Sequence, residues 1–523
     1  MNTLIEDSPK EFFGHPRGLY ILFFAEMWER FSYYGMRSLL IFYLTQHLLF
    51  GDAEAFGIVA TYGALVYLMP VIGGIVADRY IGFRKAVIFG AVLLCIGHFG
   101  MVFEGEPATR VGEAVYRNAG YLQGFYFSLA FIIMGVGFLK PSISNMVGQL
   151  YGENDPRRDG GFTIFYMGIN LGAMLASLVA GYLGQTYGWA YGFGLAGIGM
   201  VAGLITFVKG QHWLGEAGVP PNPARLAEPF LAGFSREKII YFCGLLGVIV
   251  AWQLMQHREG VGILLIATAA IAVVGIIWYS IAKCTPVERD RMLVVLYLTT
   301  VSVVFWSFFE QAGSSISLFT ERNINKEILG VNLTSAQFHF FNPAFIILLA
   351  PFFSWLWVAL FNRGLEPSTP AKFGLGVLQM GMGFAVLVYG ISTASAEGIV
   401  PAYWIVGAYF LFTTGELCLS PVGLSMVTRL SVTRVLGLMM GVWFLSASLS
   451  SYVAGIIAAA ASIHSTDGGN FDRTAALVVY SETFGMLAKI AIGVGLLVML
   501  LAPFVHRYMH EPDAQTRAIP NNR

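Results

Sequence analysis

Long apolar stretches separated by short polar segments occupy nearly the whole chain. Mainly apolar runs of roughly 18 or more residues recur from residue 18 to residue 507. Such a run is long enough for a helix to cross the hydrocarbon core of a bilayer. The pattern therefore predicts an all-α polytopic membrane protein.

The apolar runs predict about fourteen transmembrane helices. We place them at roughly 18–46, 55–79, 85–104, 118–148, 160–185, 189–209, 236–255, 261–282, 292–318, 335–361, 373–392, 401–429, 435–462 and 480–507. An even number of spans puts both termini on one side of the membrane. Lys and Arg are concentrated in the loops on that side, so the positive-inside rule predicts that both termini are cytoplasmic.

Composition supports this class and excludes others. The chain has 523 residues, of which 56% are hydrophobic and only 12% charged, too apolar for a soluble domain. The formal net charge is zero, which argues against nucleic acid as a partner. Residues 1–17 are polar and predict no cleavable signal peptide. The four cysteines are dispersed and predict neither a disulfide framework nor a metal site.

A weak internal repeat indicates two homologous halves. Residues 138–150 (FLKPSISNMVGQL) align with residues 418–430 (CLSPVGLSMVTRL), and Pro70 recurs in the same order as Pro351. Six spans in each half, inserted in the same orientation, resemble the major facilitator fold, in which the cargo site lies between the halves. We predict an N-terminal bundle at 1–210, a linker with two additional helices at 211–290, a C-terminal bundle at 291–510 and a cytoplasmic tail at 511–523.

The first span carries an unusual face of polar and charged residues. At 100° per residue, six positions fall within about 140° of arc. They are Glu26, Glu29, Arg30, Tyr33, Tyr34 and Arg37. Because a charge is costly inside a bilayer, such residues usually mark a substrate or ion path.

Three further ionisable residues, Lys140, Glu310 and Glu416, fall within apolar spans. In the two-half arrangement they predict cross-half pairs of Lys140 with Glu416 and of Arg37 with Glu310. Splitting a buried pair is costly unless another partner replaces the lost one. A cargo with both an ammonium and a carboxylate group supplies such partners, and protonation of a glutamate also releases the pair. The alternative is that these charges only hold helices together.

Four segments carry a resemblance to a known family. They are residues 26–35 (EMWERFSYYG), 165–172 (FYMGINLG), 305–314 (FWSFFEQAGS) and 415–424 (GELCLSPVGL). In this order they resemble the motifs of the proton-dependent oligopeptide transporter (POT) family. Residues 74–85 (GIVADRYIGFRK) also resemble the facilitator loop that gates the cytoplasmic side, with Asp78 and Arg84 as its charged members.

The resemblance implies roles for individual residues. Arg37 and Lys140 look like the cations that hold the peptide carboxylate. Asn170, Asn342 and Glu416 look like the group that receives the peptide amino terminus. The residues that resemble aromatic pocket walls are Tyr33, Tyr34, Tyr67, Trp306 and Trp443. Those that resemble the proton-coupling residues are Glu26, Glu29, Arg30 and Glu310.

One position departs from the family pattern. Mammalian relatives carry a histidine in the second helix where this chain has Ala60. His98 and His339 do not match that motif, and we interpret both as structural. Histidine is the usual switch near neutral pH, so proton coupling is expected to fall on carboxylates, with Glu310 first and Glu26 with Glu29 second.

The expected function is inward proton symport of di- and tripeptides by alternating access in the cytoplasmic (inner) membrane. Protons would be the coupling ion, with no other cofactor and no metal. The nearest alternative is the same fold carrying nitrate, an amino-acid-like zwitterion or a glycoside. A membrane enzyme is disfavoured because the sequence has no HExxH motif, nucleophile elbow or phosphate-binding glycine loop. A channel would not require charges coupled across two halves.

Overall fold

The structure is a computed structural model that describes residues 11–112, 114–152, 155–231, 233–463 and 472–510. The predicted cytoplasmic tail, 511–523, lies outside the described residues. The α-helices within them are α1 Arg17–Phe42, α2 Asp52–Val76, α3 Phe83–Gly100, α4 Ala119–Gln149, α5 Arg158–Tyr187, α6 Trp189–Gly210, α7 Pro223–Ala227, α8 Arg236–Gln256, α9 Arg258–Lys283, α10 Pro286–Phe309, α11 Ser315–Asn323, α12 Phe341–Asn362, α13 Thr369–Ile391, α14 Ala402–Leu430, α15 Leu436–Ala459 and α16 Arg473–Arg507.

Within the same described residues, short elements join or extend these helices. Four antiparallel hairpins lie in connecting segments: β1 Glu11–Phe12 with β2 His15–Pro16, β3 Thr109–Val111 with β4 Ala114–Tyr116, β5 Pro229–Leu231 with β6 Phe234–Ser235, and β7 Glu327–Ile328 with β8 Val331–Asn332. Two π-helical turns, Tyr43–His47 and Ala77–Ile81, continue α1 and α2. The 3₁₀ segments are Gln211–Trp213, Glu310–Gly313, Ser335–Phe340 and Thr433–Val435.

Each predicted span coincides with a long helical segment, and the predicted fold class is confirmed. Within the described ranges, 13 helical segments are long and apolar enough to cross a membrane. The 26-residue helix α1 is not among them because Glu26, Glu29, Arg30 and Arg37 interrupt its apolar sequence. The chain is therefore a multi-pass membrane protein.

The chain divides into two compact units. The first unit comprises Met1–Leu49 and Leu65–His257, and the second comprises Phe50–Ala64 and Arg258–Arg523. The beginning of α2 thus belongs to the second unit and the rest of that helix to the first. The two additional helices fall in different units: α8 belongs to the first unit and α9 to the second.

Small residues on α5 bring its backbone against α1 in the first unit. A Cβ added to Gly172 would lie 2.2 Å from the carbonyl oxygen of Met27, and one added to Gly168 would lie 3.2 Å from that of Phe23. Further along α1, a Cβ at Gly35 would lie 3.1 Å from the Cβ of Ala180. Such close approach lets membrane helices gain van der Waals contact. Both glycines of the FYMGINLG segment therefore position α1.

The second unit has an aromatic core and similar glycine contacts. Phe305, Phe384 and Phe412 are essentially fully buried within it. Helix α13 packs closely on α16, and a Cβ at Gly495 would lie 2.6 Å from the amide nitrogen of Leu378. Close backbone contacts of this kind let α13 and α16 pack tightly together.

We expect Gly172→Ala to lower the melting temperature of the purified protein by several degrees. The added methyl group would overlap the Met27 carbonyl, and overpacking of this kind costs about 1–3 kcal/mol. Gly124→Ala is the matched control, because a Cβ at Gly124 meets nothing within 4 Å. That variant should keep or raise the melting temperature, since Ala favours a helix interior over Gly. Equal melting temperatures for both variants, measured by intrinsic fluorescence, would contradict the proposed packing role.

Candidate functional site

The charged face of α1 folds into a compact ion-pair cluster. The Nε of Arg30 lies 3.1 Å from Oε1 of Glu26, and Arg30 also pairs with the carboxylate of Glu29. All three residues are buried, with Glu26 2%, Glu29 1% and Arg30 4% exposed. A charge that is so fully removed from water needs a partner of opposite charge. Two carboxylates therefore share one guanidinium.

Tyrosines cover the cations of the first unit. The Arg30 guanidinium lies 5.4 Å from the ring centre of Tyr33, which packs edge-on against Tyr34. The Lys140 ammonium lies 4.5 Å from the ring centre of Tyr67. Cation–π contacts of this kind stabilise a charge where water is scarce. Three of the predicted aromatic residues thus lie at or beside predicted cationic residues.

Lys140 also belongs to the electrostatic environment of α1. It lies within electrostatic range of Glu26, Glu29, Arg30 and Arg37. Glu26, Glu29 and Arg30 of α1 and Lys140 of α4 are thus four charged residues from two helices that influence one another. Their formal charges sum to zero.

Asn170 is the predicted polar residue of α5. It is 5% exposed, and its Nδ2 donates a hydrogen bond of 3.0 Å to the Tyr166 carbonyl of the same helix. The prediction that it acts with Asn342 and Glu416 stays a prediction.

The predicted gating residues differ in their surroundings. Asp78 is exposed on the π-helical turn after α2. Arg84 at the start of α3 donates to the Ala217 carbonyl at 2.7 Å and to the Gly215 carbonyl, and its backbone N–H donates to the Gly218 carbonyl at 3.0 Å. Arg84 therefore ties the segment after α6 to the α2–α3 turn. Whether this contact gates transport stays a prediction.

In the second unit, Glu416 and Asn342 form a polar pair. The Nδ2 of Asn342 donates to Oε2 of Glu416 at 2.8 Å and to Oγ1 of Thr413 at 3.1 Å. Glu416 is 8% exposed and lies in the middle of α14. The structure thus joins two of the residues that the family resemblance links to the peptide amino terminus, and that role stays a prediction.

Glu310 lies where the predicted single span 292–318 is interrupted. Helix α10 ends at Phe309, a 3₁₀ segment covers Glu310–Gly313, and α11 begins at Ser315. Gln311 stabilises the break: it is fully buried, its Nε2 donates to the Ala454 carbonyl of α15 at 2.9 Å, and its Oε1 accepts from Ser315 at 2.7 Å. Sequence reasoning missed this interruption, although Gly313 and Ser314 were its signal.

The predicted tryptophans are packed against the second unit's own helices. Trp306 lies edge-on to Phe309, with ring centres 5.2 Å apart. A Cβ at Gly423 would lie 2.5 Å from the ring of Trp443, so this glycine seats the indole. The two cross-half pairs, Lys140 with Glu416 and Arg37 with Glu310, stay predictions.

Sequence reasoning also missed an ion pair in the second unit. Arg322 of α11 donates through both terminal nitrogens to the carboxylate of Asp52 in α2, at 2.6 and 2.7 Å. It also donates to the hydroxyl of Tyr480 at 3.2 Å, while Asp52 accepts from the backbone N–H of Ile463 at 3.1 Å. Two parallel charge-assisted bonds make this a strong and directional contact. It fixes the beginning of α2 against α11 and α16.

Ala60 of α2 faces α15 at very close range. A Cβ added to Gly455 would lie 2.3 Å from the Cβ of Ala60, and Ala60 is buried. The helices therefore leave no space for an imidazole at residue 60 in this conformation. The two histidines interpreted as structural lie elsewhere. A hydrogen bond of 3.0 Å joins Nε2 of His339 to the hydroxyl of Ser317, and His98 is fully buried in α3.

Comparisons with known proteins give a consistent result. The PTR2 family model, described as the POT family, matches residues 84–474. The chain is 37% identical to the uncharacterised transporter YclF of Bacillus subtilis over 97% of this chain and 98% of that protein. It is 34% identical to a di-/tripeptide transporter of Lactococcus lactis subsp. cremoris over 88% of this chain and 93% of that protein. A crystal structure of a mutant peptide transporter POT with alafosfalin matches with a TM-score of 0.79 and 34% identity, covering 96% and 98% of the two chains.

We expect Asp52→Asn to destabilise the protein strongly, because the largely buried Arg322 loses its carboxylate partner. Removing one partner of a buried ion pair costs about 3–5 kcal/mol. The exchange Asp52→Arg with Arg322→Asp should recover much of the lost melting temperature. Glu54→Gln is the control, since the pair of Glu54 with Arg258 is more exposed and is worth about 1 kcal/mol or less. A melting temperature for Asp52→Asn equal to that of the control would refute the assigned strength of the pair.

Proposed function

The chain belongs to the POT family, and on that premise we propose that it is a proton-coupled symporter that imports di- and tripeptides by alternating access. It would act in the cytoplasmic (inner) membrane with both termini cytoplasmic. The observation that carries this proposal is the buried cluster of Glu26, Glu29 and Arg30 beside Lys140. The di-/tripeptide activity of the Lactococcus relative supports the cargo class.

Electroneutrality links cargo to protons in this cluster. Two glutamates, one arginine and one lysine carry no net formal charge. A peptide carboxylate that binds Lys140 adds one negative charge to a region poor in water. Uptake of one proton by Glu26 or Glu29 restores neutrality, so binding of the carboxylate favours protonation and the reverse holds by linkage. Arg37, whose positive charge also acts on Lys140, keeps its charge throughout, so it does not alter this one-for-one exchange.

We further propose that Glu416 of the second unit receives the peptide ammonium group. The carboxylate of Glu416 accepts from Asn342, whose amide also donates to Thr413, and a carboxylate suits a peptide ammonium group. Recognition of the two charged ends leaves the peptide side chains unconstrained, so a wide range of sequences is accepted. The aromatic residues Tyr33, Tyr34, Tyr67, Trp306 and Trp443 are proposed to line the space for those side chains.

Glu310 is the proposed coupling carboxylate of the second unit. It lies at the start of the 3₁₀ segment between α10 and α11. A change in its charge would therefore affect the conformation of a region where the helix is already interrupted. We propose no resident cofactor or metal, only the coupling proton. The molecule is a carrier in this proposal and catalyses no covalent chemistry.

We expect Glu310→Gln to abolish uphill, proton-driven peptide uptake while peptide exchange across the membrane continues. The amide cannot release and rebind a proton, yet it keeps the size and polarity of the side chain. The measurement is uptake of labelled dialanine into proteoliposomes with an imposed pH gradient, beside counterflow without one. Glu482→Gln, in the exposed part of α16 beyond these clusters, is the control. Accumulation by the Glu310 variant at the parent level would exclude the residue from coupling.

Lys140→Ala should weaken dialanine binding by about tenfold or more, because a hydrogen bond to a charged group contributes about 1.5–3 kcal/mol. The same substitution should change little for dialanine amide, which lacks the carboxylate. Lys489→Ala, at an exposed position of α16, serves as the control. Equal weakening for both ligands would remove Lys140 from carboxylate recognition. Failure of dialanine to compete with any cargo would instead favour another anion or zwitterion.

A further inference from the structure

An apolar groove of about 550 Å³ lies on the first unit, between α2, α4 and α8. Its walls include Met69, Ile72, Met134, Phe138, Ile240 and Val250. Ile72 and Val250 are more than half exposed, so the groove opens to the outside of the bundle. None of the charged residues of the α1 cluster lines it.

One end of the groove is basic. Arg225 of α7 and Arg236 at the start of α8 are both lining residues. Arg236 lies 5.2 Å from the ring centre of Phe230, and its nearest carboxylate, Glu228, is 4.0 Å away and exposed. The neighbouring carboxylate of Glu237 is engaged by Lys85 at 2.6 Å. The local balance at this end therefore stays positive.

The position of this basic end matches the membrane interface. Arg236 begins the span α8, and Tyr80, on the turn after α2, lines the same end. The β5–β6 hairpin beside it exposes Phe230, Leu231 and Phe234, whose exposed fractions lie between 56% and 64%. Exposed aromatic and apolar side chains next to arginines are typical of a segment that lies in the headgroup region.

The length of the groove suits a lipid chain. Lining residues on α8 run from Arg236 to Ala251, which is about 22 Å at 1.5 Å per residue. One leaflet contributes about 15 Å of hydrocarbon. A fatty acyl chain that starts at the interface can therefore lie within the groove along its full length.

We propose that this groove binds one anionic glycerophospholipid of the cytoplasmic leaflet. An acyl chain lies along α8 between α2 and α4, and the phosphate group is held by Arg225 and Arg236. Basic pockets between membrane helices recognise anionic headgroups in this way, and charge-assisted hydrogen bonds from arginine to phosphate give the selectivity. The leaflet follows from the proposed topology, whereas the lipid chemistry follows from the groove alone.

Cys243 offers a direct probe, because it is an exposed thiol that lines the groove. Full-length protein with Cys95, Cys284 and Cys418 replaced by alanine is reconstituted in nanodiscs of phosphatidylcholine with increasing phosphatidylglycerol. The rate of Cys243 labelling by a lipophilic maleimide is then measured. We expect the rate to fall severalfold as phosphatidylglycerol is added, and to stay at the phosphatidylcholine value in Arg225→Gln with Arg236→Gln.

Lys238→Gln, a basic residue of α8 that does not line the groove, should behave like the parent. Val250→Trp fills the groove without changing its charge and should abolish retention of a phosphatidylglycerol molecule in native mass spectrometry. Equal labelling rates in both lipids would overturn the anionic selectivity. Retention of the lipid by both the double arginine variant and Val250→Trp would overturn the site itself. Peptide uptake is measured separately, so a failure of the transport proposal is distinguishable.

Discussion

The cost of an unpaired charge in a bilayer is the constraint on which the first unit depends. Helix α1 crosses the apolar region with Glu26, Glu29 and Arg30 side by side, and it is stable there because the guanidinium neutralises both carboxylates in part. This arrangement requires the cluster to face protein. Gly168 and Gly172 meet that requirement, since they let α5 cover the same stretch of α1 at backbone distance.

Glu416 of the second unit is buried beside a neutral partner instead. Glu416 accepts a hydrogen bond from the amide of Asn342, and the same amide nitrogen also donates to the hydroxyl of Thr413. A neutral donor stabilises a buried carboxylate without balancing its charge, whereas the guanidinium of Arg30 does both for Glu26 and Glu29 in the first unit.

Much of the fold was predictable because hydrophobic length and intramembrane charge are local signals. The spans, the charged face of α1 and the placement of Lys140, Glu310 and Glu416 within spans followed from them. The pair of Asp52 with Arg322 did not, because two residues 270 positions apart carry no shared periodicity. The break after Phe309 was hidden for another reason: its stabilising contact is the Gln311 bond to the Ala454 carbonyl, which only the folded α15 supplies. The roles of Gly168 and Gly172 depend likewise on the position of α1.

The contact of Ala60 with Gly455 has a consequence for how the protein can be altered. An imidazole at residue 60 would require α2 and α15 to move apart, because the methyl group of Ala60 packs directly against the Cα of Gly455. A single substitution of Ala60 by histidine would therefore add a titratable group but disrupt the packing of α2 against α15. The steric fit of the two helices thus excludes a larger side chain at residue 60, and introducing a histidine there would require compensating changes along both helices.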